Sequence, residues 1–545
     1  MKNIFKLTLA LCASAMVFAS CIKETFPMDD SATADQVNSS ATALEALTNA
    51  IPAAMVQGYL VYGEQEWEFD MSYPGMMIIM DSALGDIVDS GDTGYDWFSY
   101  WSSNNYSLGV TTSRAYVPWR TFYLLIKGTN DVISIVDPET ATDAQKVLLG
   151  QALSYRAFLY HALASLYEYI PATDPGVVAS YKPDGEILGL TVPIVSDTTS
   201  LATSKANPRV TKEAIYKFIM DDLDLAEECL ANYAPKGGLL PTLPVVYGLK
   251  AKMYMELSDW GNAASYARKG IDAFGGSPLT QAQWEDPVNG FNNYAANSNS
   301  WMWYLSYSAE TMGNLCNFVA HMSTEETWTS YGWAVGRGVP KSLYDQIPDT
   351  DFRKHSWIDP EGMDYYAYKM NRNVFDEEEK KVVGPYANLK FRPAGGDYAT
   401  YKVGGCSQVP LMRVEELMLI EAEALAMNGD IAGGKAALTN LIKTRNPQYS
   451  CENIATATGV QNEVYKQKRI EFWGEGICLF DAKRLAAGVR NGYKDTNAQV
   501  GYRFNCEGVA PWWTWMIPQV EINGNPVLDG FNNPDPTKAV TEWTE

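Results

Sequence analysis

Residues 410–426 read Pro410-Leu-Met-Arg-Val-Glu-Glu-Leu-Met-Leu-Ile-Glu-Ala-Glu-Ala-Leu-Ala426, and residues 468–485 read Lys468-Arg-Ile-Glu-Phe-Trp-Gly-Glu-Gly-Ile-Cys-Leu-Phe-Asp-Ala-Lys-Arg-Leu485. In the first stretch Val414, Met418, Ala422 and Leu425 recur three and four positions apart, which sets them on one face of a helix. Pro410 suits the opening of that helix, where its missing N–H needs no partner. Asn428-Gly429-Asp430 suits its end, with Gly429 free to take the left-handed cap. A second helix carries Ala437, Leu441 and Ile442 inward and stops before Pro447. The 468–485 stretch mixes charged and apolar residues and reads as a helix, a break at Gly474 and Gly476, and another helix. Glu415, Glu416, Glu421 and Glu423 are expected to pair with Arg413 and nearby residues of their own helix.

Such helices need other helices to lie against, and the chain supplies them upstream. One opens at Pro118, with Trp119, Phe122, Ile126 and Ile133 on its apolar face. The next starts near Asp143 and carries Leu148, Ala152, Tyr155, Leu159 and Leu166, stopping at Pro171. Thr211 is a good N-cap for a helix with Ile215, Ile219, Leu223, Ala226 and Leu230 on one face. Val246, Leu249 and Met253 belong to a helix that turns at Asp259-Trp260-Gly261 into another bearing Ala263, Ala267 and Ile271. That helix–turn–helix resembles a tetratricopeptide unit, and Asn428-Gly-Asp-Ile431 with Ala436-Ala437 repeats the idea. The pairs do not recur at a fixed period, so the array is broken. The predicted fold class is mainly α: tetratricopeptide-type pairs over about 115–171, 210–275 and 410–490, with a loop-rich face inserted at about 60–110 and 280–405.

Residues 1–20 carry Lys2 and Lys6 and an apolar run from Leu7 to Ala19, too short to span a membrane, and read as a signal peptide. The run ends Phe18-Ala-Ser-Cys21, which resembles a bacterial lipobox and makes Cys21 the expected lipidation site. Residues 21–40 then form a tether and 41–545 a single domain, with no Pro/Gly/Ser-rich linker inside it. The formal charge is −23, or −25 once Lys2 and Lys6 leave with the signal peptide. So acidic a chain argues against nucleic acid or anionic lipid as partners. Of the eight cysteines, six remain beyond Cys12 and Cys21; none forms a Cys-x-x-Cys pair, and most are expected free and buried.

Three histidines, His161, His321 and His355, form no metal motif. There is no nucleophile elbow and no phosphate-cradling glycine loop. With 65 acids, some carboxylate pair is inevitable and carries no information. No cofactor, metal or catalytic residue is expected. The remaining signal is aromatic: 33 Tyr and 16 Trp exceed what a core needs. Trp97, Tyr100, Trp101, Asn104, Trp301, Trp303, Trp328, Tyr331 and Trp333 lie in Gly/Asn/Ser-rich surroundings and are the candidate ligand contacts.

Arg413-Val-Glu-Glu-Leu417, Glu421-Ala-Glu423-Ala, Arg469-Ile-Glu471-Phe-Trp-Gly-Glu475-Gly and Asp481-Ala-Lys-Arg484 resemble the C-terminal signature of the SusD/RagB family. Gln151 to Tyr160, Tyr331-Gly-Trp333 through Asp351-Phe-Arg353, Pro385 to Phe391, and Trp515 to Ile522 are also similar, in matching order over about residues 60–525. One departure is Cys478, at a position where the family often has Arg. The resemblance implies a non-catalytic surface lipoprotein of Bacteroidetes, anchored in the outer membrane and facing outward. It would capture oligo- or polysaccharide for a SusC-like TonB-dependent transporter. A glycoside hydrolase with an unrecognised carboxylate pair and a peptide-binding RagB-like protein are the alternatives.

Overall fold

The computed structural model describes residues 40–57, 72–89, 98, 108–182, 186–288, 290–310, 315–329, 331–360 and 385–544. Its main helices, in chain order, are α1 (Ala41–Met55), α2 (Tyr73–Leu84), α3 (Ser113–Ile133), α4 (Asp143–Tyr167), α5 (Lys212–Leu230), α6 (Leu243–Glu256) and α7 (Trp260–Phe274). After an insertion come α8 (Val414–Met427), α9 (Ile431–Ile442), α10 (Ala457–Glu471) and α11 (Cys478–Leu485). Each helix from α3 to α8 packs on the next, although the insertion separates α7 from α8, and α8 also packs on α9 and α10. This is a mainly α, tetratricopeptide-like array. One apolar core runs through it from Leu44 to Val540.

Local chemistry sets the helix ends. Thr142 and Gln145 form a reciprocal capping box at the start of α4, and Thr211 Oγ1 accepts from Ala214 N at the start of α5. Ile215, Ile219, Leu223, Ala226 and Leu230 line one fully buried face of α5. Where α7 crosses α8 the backbones come close. A methyl group at Gly270 would stand 2.4 Å from Leu417 Cδ2, so glycine permits the contact.

Several expectations need correction. Pro410 does not open a helix: Gln408–Arg413 is strand β2, antiparallel to β1 (Trp301–Ser306), and the helix begins at Val414. The register slips between Trp303, opposite Met412, and Tyr304, opposite Pro410. A proline that cannot donate is tolerated at such an irregularity in a two-stranded ladder. Residues 60–110 are not loop throughout, because α2 lies among them with all twelve residues buried. Its helical signal is hidden by apolarity on every side, which leaves no 3.6-residue period to read. α3 starts at Ser113, five residues ahead of Pro118, and α1 extends the scaffold N-terminally. Pro385–Phe391 makes isolated bridges, Gly338 to Ala387 and Trp357 to Asn388.

α8 is buried on nearly all sides; Glu415 has the expected Arg413 partner at 3.3 Å, while its other glutamates reach other helices. Glu416 pairs with Lys252 of α6 at 2.7 Å, and Glu421 with Arg268 of α7, Nε to Oε1 at 2.8 Å. Glu423 pairs with Arg484 of α11 at 2.8 Å. Glu415 joins a larger cluster. Arg353, Arg413, Arg445 and Lys390 meet Asp351, Glu415, Glu471 and Glu475, every one of them buried. Glu471 receives Arg353 at 3.1 Å, Arg413 at 3.0 Å and Arg445 at 2.7 Å. Glu475 receives Arg413 at 2.9 Å and Lys390 at 2.6 Å. Glu475 stands between Gly474 and Gly476, at φ +79° and +68°, which turn the chain between α10 and α11 as the sequence predicts. Cys478 is buried, and burial pushes its thiol well above 9. Nearby, Asp86 is held by Arg469 Nε at 3.0 Å.

Burial alone would push the Glu471 carboxyl up, but the Arg445, Arg413 and Arg353 guanidiniums outweigh it and hold it well below 4.5. The stabilisation is therefore complete above pH 4.5 and is lost as pH falls through the depressed value. Glu471→Ala should cost about 3–5 kcal/mol, because it strands buried guanidiniums. Glu421→Ala, whose partner Arg268 is half exposed, should cost less than about 1 kcal/mol. Urea unfolding of the two variants at pH 7 checks the contrast.

Candidate functional site

The sequence-predicted contacts separate into three groups. Trp97, Tyr100, Trp101 and Asn104 lie outside the described residues, as do Cys21 and the side chain of Trp333. Trp301 and Trp303 are in the core at 0 % exposure, which corrects their assignment to the ligand face. Trp303 Nε1 donates to Leu239 O at 3.1 Å, and its ring meets Tyr155 and Phe158 edge-on at 4.9 Å each. Trp301 packs on Phe291 at 5.7 Å. The signal was present: Trp301, Trp303 and Leu305 alternate, the period of a strand's inward face.

Trp328 and Tyr331 form the third group; both are half-buried, on the segment that follows the short helix Phe318–Met322. Trp328 lies against Gly404, where a methyl group would come within 2.9 Å of the indole. Its Nε1 is buried and has no hydrogen-bond partner among the described residues. The turn around it is tied down on both sides. Thr327 N donates to Tyr398 O at 2.8 Å, and Thr329 N and Oγ1 each donate to Glu326 at 2.9 Å. Tyr331 N donates to Thr329 Oγ1 at 3.2 Å.

Behind Tyr331 sits His321, fully buried. Its ring stacks on Tyr331 at 5.5 Å and meets Phe98 edge-on at 4.9 Å. His321 thus links Phe98 to Tyr331. Arg337 Nη1 donates to His321 O at 2.6 Å, Arg337 Nε lies 3.4 Å from Asp89, and its guanidinium stands 5.4 Å from the Phe98 ring. Burial, with Arg337 beside it, holds the His321 imidazole well below 6.5. Sequence reading missed Phe98, His321 and Arg337; they are far apart in the chain and no motif marks them.

The segment 385–392 joins this region to the buried ion cluster. Lys390 is in the cluster, while Asn388 N donates to Arg337 O at 2.9 Å, and Thr324 Oγ1 donates to Asn388 O at 2.7 Å. Among the described residues no group of three or more His, Cys, Asp and Glu is placed to hold a metal ion. The arrangement is a half-exposed aromatic turn on a rigid base, suited to stacking and hydrogen bonding.

A tetratricopeptide-like scaffold carrying an inserted aromatic loop face defines a class of binding protein built on helix pairs. Residues 81–255 match the family described as "Starch-binding associating with outer membrane", and residues 343–535 match the "SusD family". The chain belongs to the SusD/RagB family. Among solved structures it is similar to a SusD-like carbohydrate binding protein from Bacteroides vulgatus, at 19 % identity, covering 89 % of this chain and 97 % of that one, with a TM-score of 0.66. It is also similar to a SusD superfamily protein from Bacteroides thetaiotaomicron, at 16 % identity, 90 % and 98 % coverage and a TM-score of 0.66. A third, from Bacteroides fragilis, has 20 % identity, 90 % and 98 % coverage and a TM-score of 0.62. No curated protein sequence matches the chain.

Because folding holds His321 neutral while the unfolded chain protonates it near pH 6.5, the unfolded state binds the extra proton below that pH. Stability should therefore fall as pH drops from 6.5 to 5.5. His321→Gln should flatten that slope, even though it lowers stability at pH 8. Thermal unfolding of both proteins at half-unit pH steps makes the comparison.

Proposed function

We propose that the protein is a cell-surface glycan-binding lipoprotein that captures oligo- or polysaccharide and passes it, without turning it over, to a SusC-like TonB-dependent transporter in the outer membrane. The observation that carries this reading is the match of residues 81–255 to a family described as starch-binding and associated with the outer membrane. The neighbour from Bacteroides vulgatus, described as a carbohydrate binding protein, supports it through the shared fold. Trp328 and Tyr331 supply the chemistry. An aromatic ring covers the C–H face of a sugar, and polar side chains beside it bond the hydroxyls on its rim. A turn of this kind suits an extended polymer, with affinity in roughly the micromolar to millimolar range. Trp97, Tyr100, Trp101, Asn104 and Trp333 are proposed to complete the surface.

Trp328→Ala and Tyr331→Ala should each weaken binding by about 1–3 kcal/mol with the fold intact, judged from stacking losses elsewhere. Calorimetry against a polysaccharide that the native protein binds tests this. Two folded variants that bind as the native protein does would move the site away from this turn. Binding of peptides in place of glycans would favour the RagB-like alternative, and release of reducing ends would favour a hydrolase.

The anchor belongs to the same proposal: residues 1–20 a signal peptide, Cys21 lipidated, 21–40 a tether and 41–545 one domain. No helix among the described residues is long and apolar enough to cross a membrane. Stable anchoring takes about two acyl chains, which a lipidated N-terminal cysteine provides. Cys21→Ala should move the protein from the membrane to the soluble fraction and abolish palmitate labelling. Persistence of the label would refute the assignment.

A further inference from the structure

A second pair of aromatic rings lies apart from the Trp328 turn. Tyr294 and Tyr304 stack with centroids 4.1 Å apart and planes 20° from parallel, and both are half-buried. Tyr304 is on β1, where Trp301, Trp303 and Leu305 are buried while Tyr304 and Ser306 are partly open to water. Tyr294 opens the short helix Tyr294–Asn297, which Asn293 Oδ1 caps by accepting from Ala296 N at 3.2 Å. Gln408 Oε1 accepts from Tyr294 N at 2.8 Å, and Gln408 stands opposite Ser306 in the β1–β2 ladder. Backbone bonds therefore fix the positions of both rings.

The hydroxyls of this pair are treated differently from those of the packed tyrosines. Tyr123, Tyr155 and Tyr160 donate theirs to the carbonyls of Pro193, Leu239 and Val195. The Tyr294 and Tyr304 hydroxyls have no hydrogen-bond partner among the described residues. A tyrosine that serves packing alone finds such a partner as it is buried; these two keep theirs for water or a ligand. Ser306 Oγ and Gln408 Nε2, 3.5 Å apart, add a hydroxyl and an amide beside the rings. A flat apolar surface edged by such groups fits a pyranose, whose C–H face covers a ring while its hydroxyls meet the edge. The surface is set before binding, so little ordering is lost when a sugar arrives.

Residues 404–408 join this pair to the Trp328 turn. Gly404 packs on Trp328 at one end, and Gln408 holds Tyr294 at the other. Four residues span at most about 14 Å even when fully extended, which is within the reach of one oligosaccharide chain. We propose that Tyr294 and Tyr304 form a second stacking site for a pyranose ring, which takes a further stretch of the glycan held at Trp328. This rests on the carbohydrate reading and adds a second point of contact to it. Two linked sites raise the affinity of a chain that reaches both and do nothing for a chain that reaches one. The protein therefore favours long glycans over short fragments of the same linkage.

The test uses the full protein with amylopectin, dextran, xylan and galactan, each intact and as size-fractionated fragments, in affinity electrophoresis and calorimetry. On whichever polymer binds, the native protein should bind more tightly as fragments lengthen. The double variant Tyr294→Ala/Tyr304→Ala should bind the shortest fragments that bind as the native protein does, and the intact polymer at least about fivefold more weakly, the loss of one stacking contact. Tyr294→Ala alone should lose less, because the Tyr304 ring remains. Tyr294→Leu/Tyr304→Leu keeps apolar cover on the strand without a flat ring, and should match the double alanine variant; it stands in if that variant does not fold. A folded double variant that binds every length as the native protein does overturns this inference and leaves the carbohydrate reading standing. So does a loss that is equal at all lengths, which would make the pair a support for the Trp328 turn. Failure of every polymer in the panel overturns the carbohydrate reading and this inference with it.

Discussion

The rest of the structure depends on the Glu471 carboxylate and the three guanidiniums that share it. Arg353, Arg413 and Arg445 come from the insertion, the end of β2 and the segment after α9, and all meet this one side chain. With Lys390, Asp351, Glu415 and Glu475 the cluster holds four cations and four anions away from water. Such a cluster is a poor source of net stability, because removing each charge from water costs nearly what pairing returns. Its effect is on uniqueness. Any packing that shifts one contributing segment leaves a buried charge unpaired, and that alternative is expensive. The chain is thus held to one arrangement at the point where array, sheet and insertion converge.

That point also reaches the aromatic turn. Lys390 is tied to the cluster, and two residues earlier Asn388 bonds the backbone of Arg337 and accepts from Thr324. Arg337 in turn holds His321 O, and His321 supports Tyr331 and Phe98. Loops that must present rings to a ligand gain by being rigid beforehand, since ordering them on binding subtracts from affinity. A short run of hydrogen bonds from a fixed cluster gives that rigidity without covering Trp328.

How legible this was depended on the period of each element. α5 and α7 have one clear apolar face, so their residues and limits could be read directly. α2 is buried on every side, and a helix without a polar face loses its signature. The error at Pro410 has the same root. Val409, Leu411 and Met412 are all buried, and a continuous apolar run does not distinguish strand from helix. Glu415 does pair locally with Arg413, but Glu416, Glu421 and Glu423 do not, because sequence displays near neighbours and hides partners far along the chain. Arg268 to Glu421 is such a long-range pair. The aromatic rule misled at Trp301 and Trp303 for a related reason: Gly- and Asn-rich flanks marked the ends of a buried strand as well as loops.

The division between array and insertion explains how a fold of this kind keeps its shape while its surface changes. Neighbours share only 16–20 % of residues with this chain, yet superpose with TM-scores of 0.62–0.66 over about nine tenths of it. Helix packing tolerates apolar exchange at constant volume, so most array positions can vary. The face is freer still, because its shape comes from backbone hydrogen bonds and a few buried anchors. Trp328 can be exchanged without disturbing Asn388, Arg337 or the cluster beneath, since its contact with Gly404 is packing alone. Changing the ligand therefore requires no change in what folds the protein.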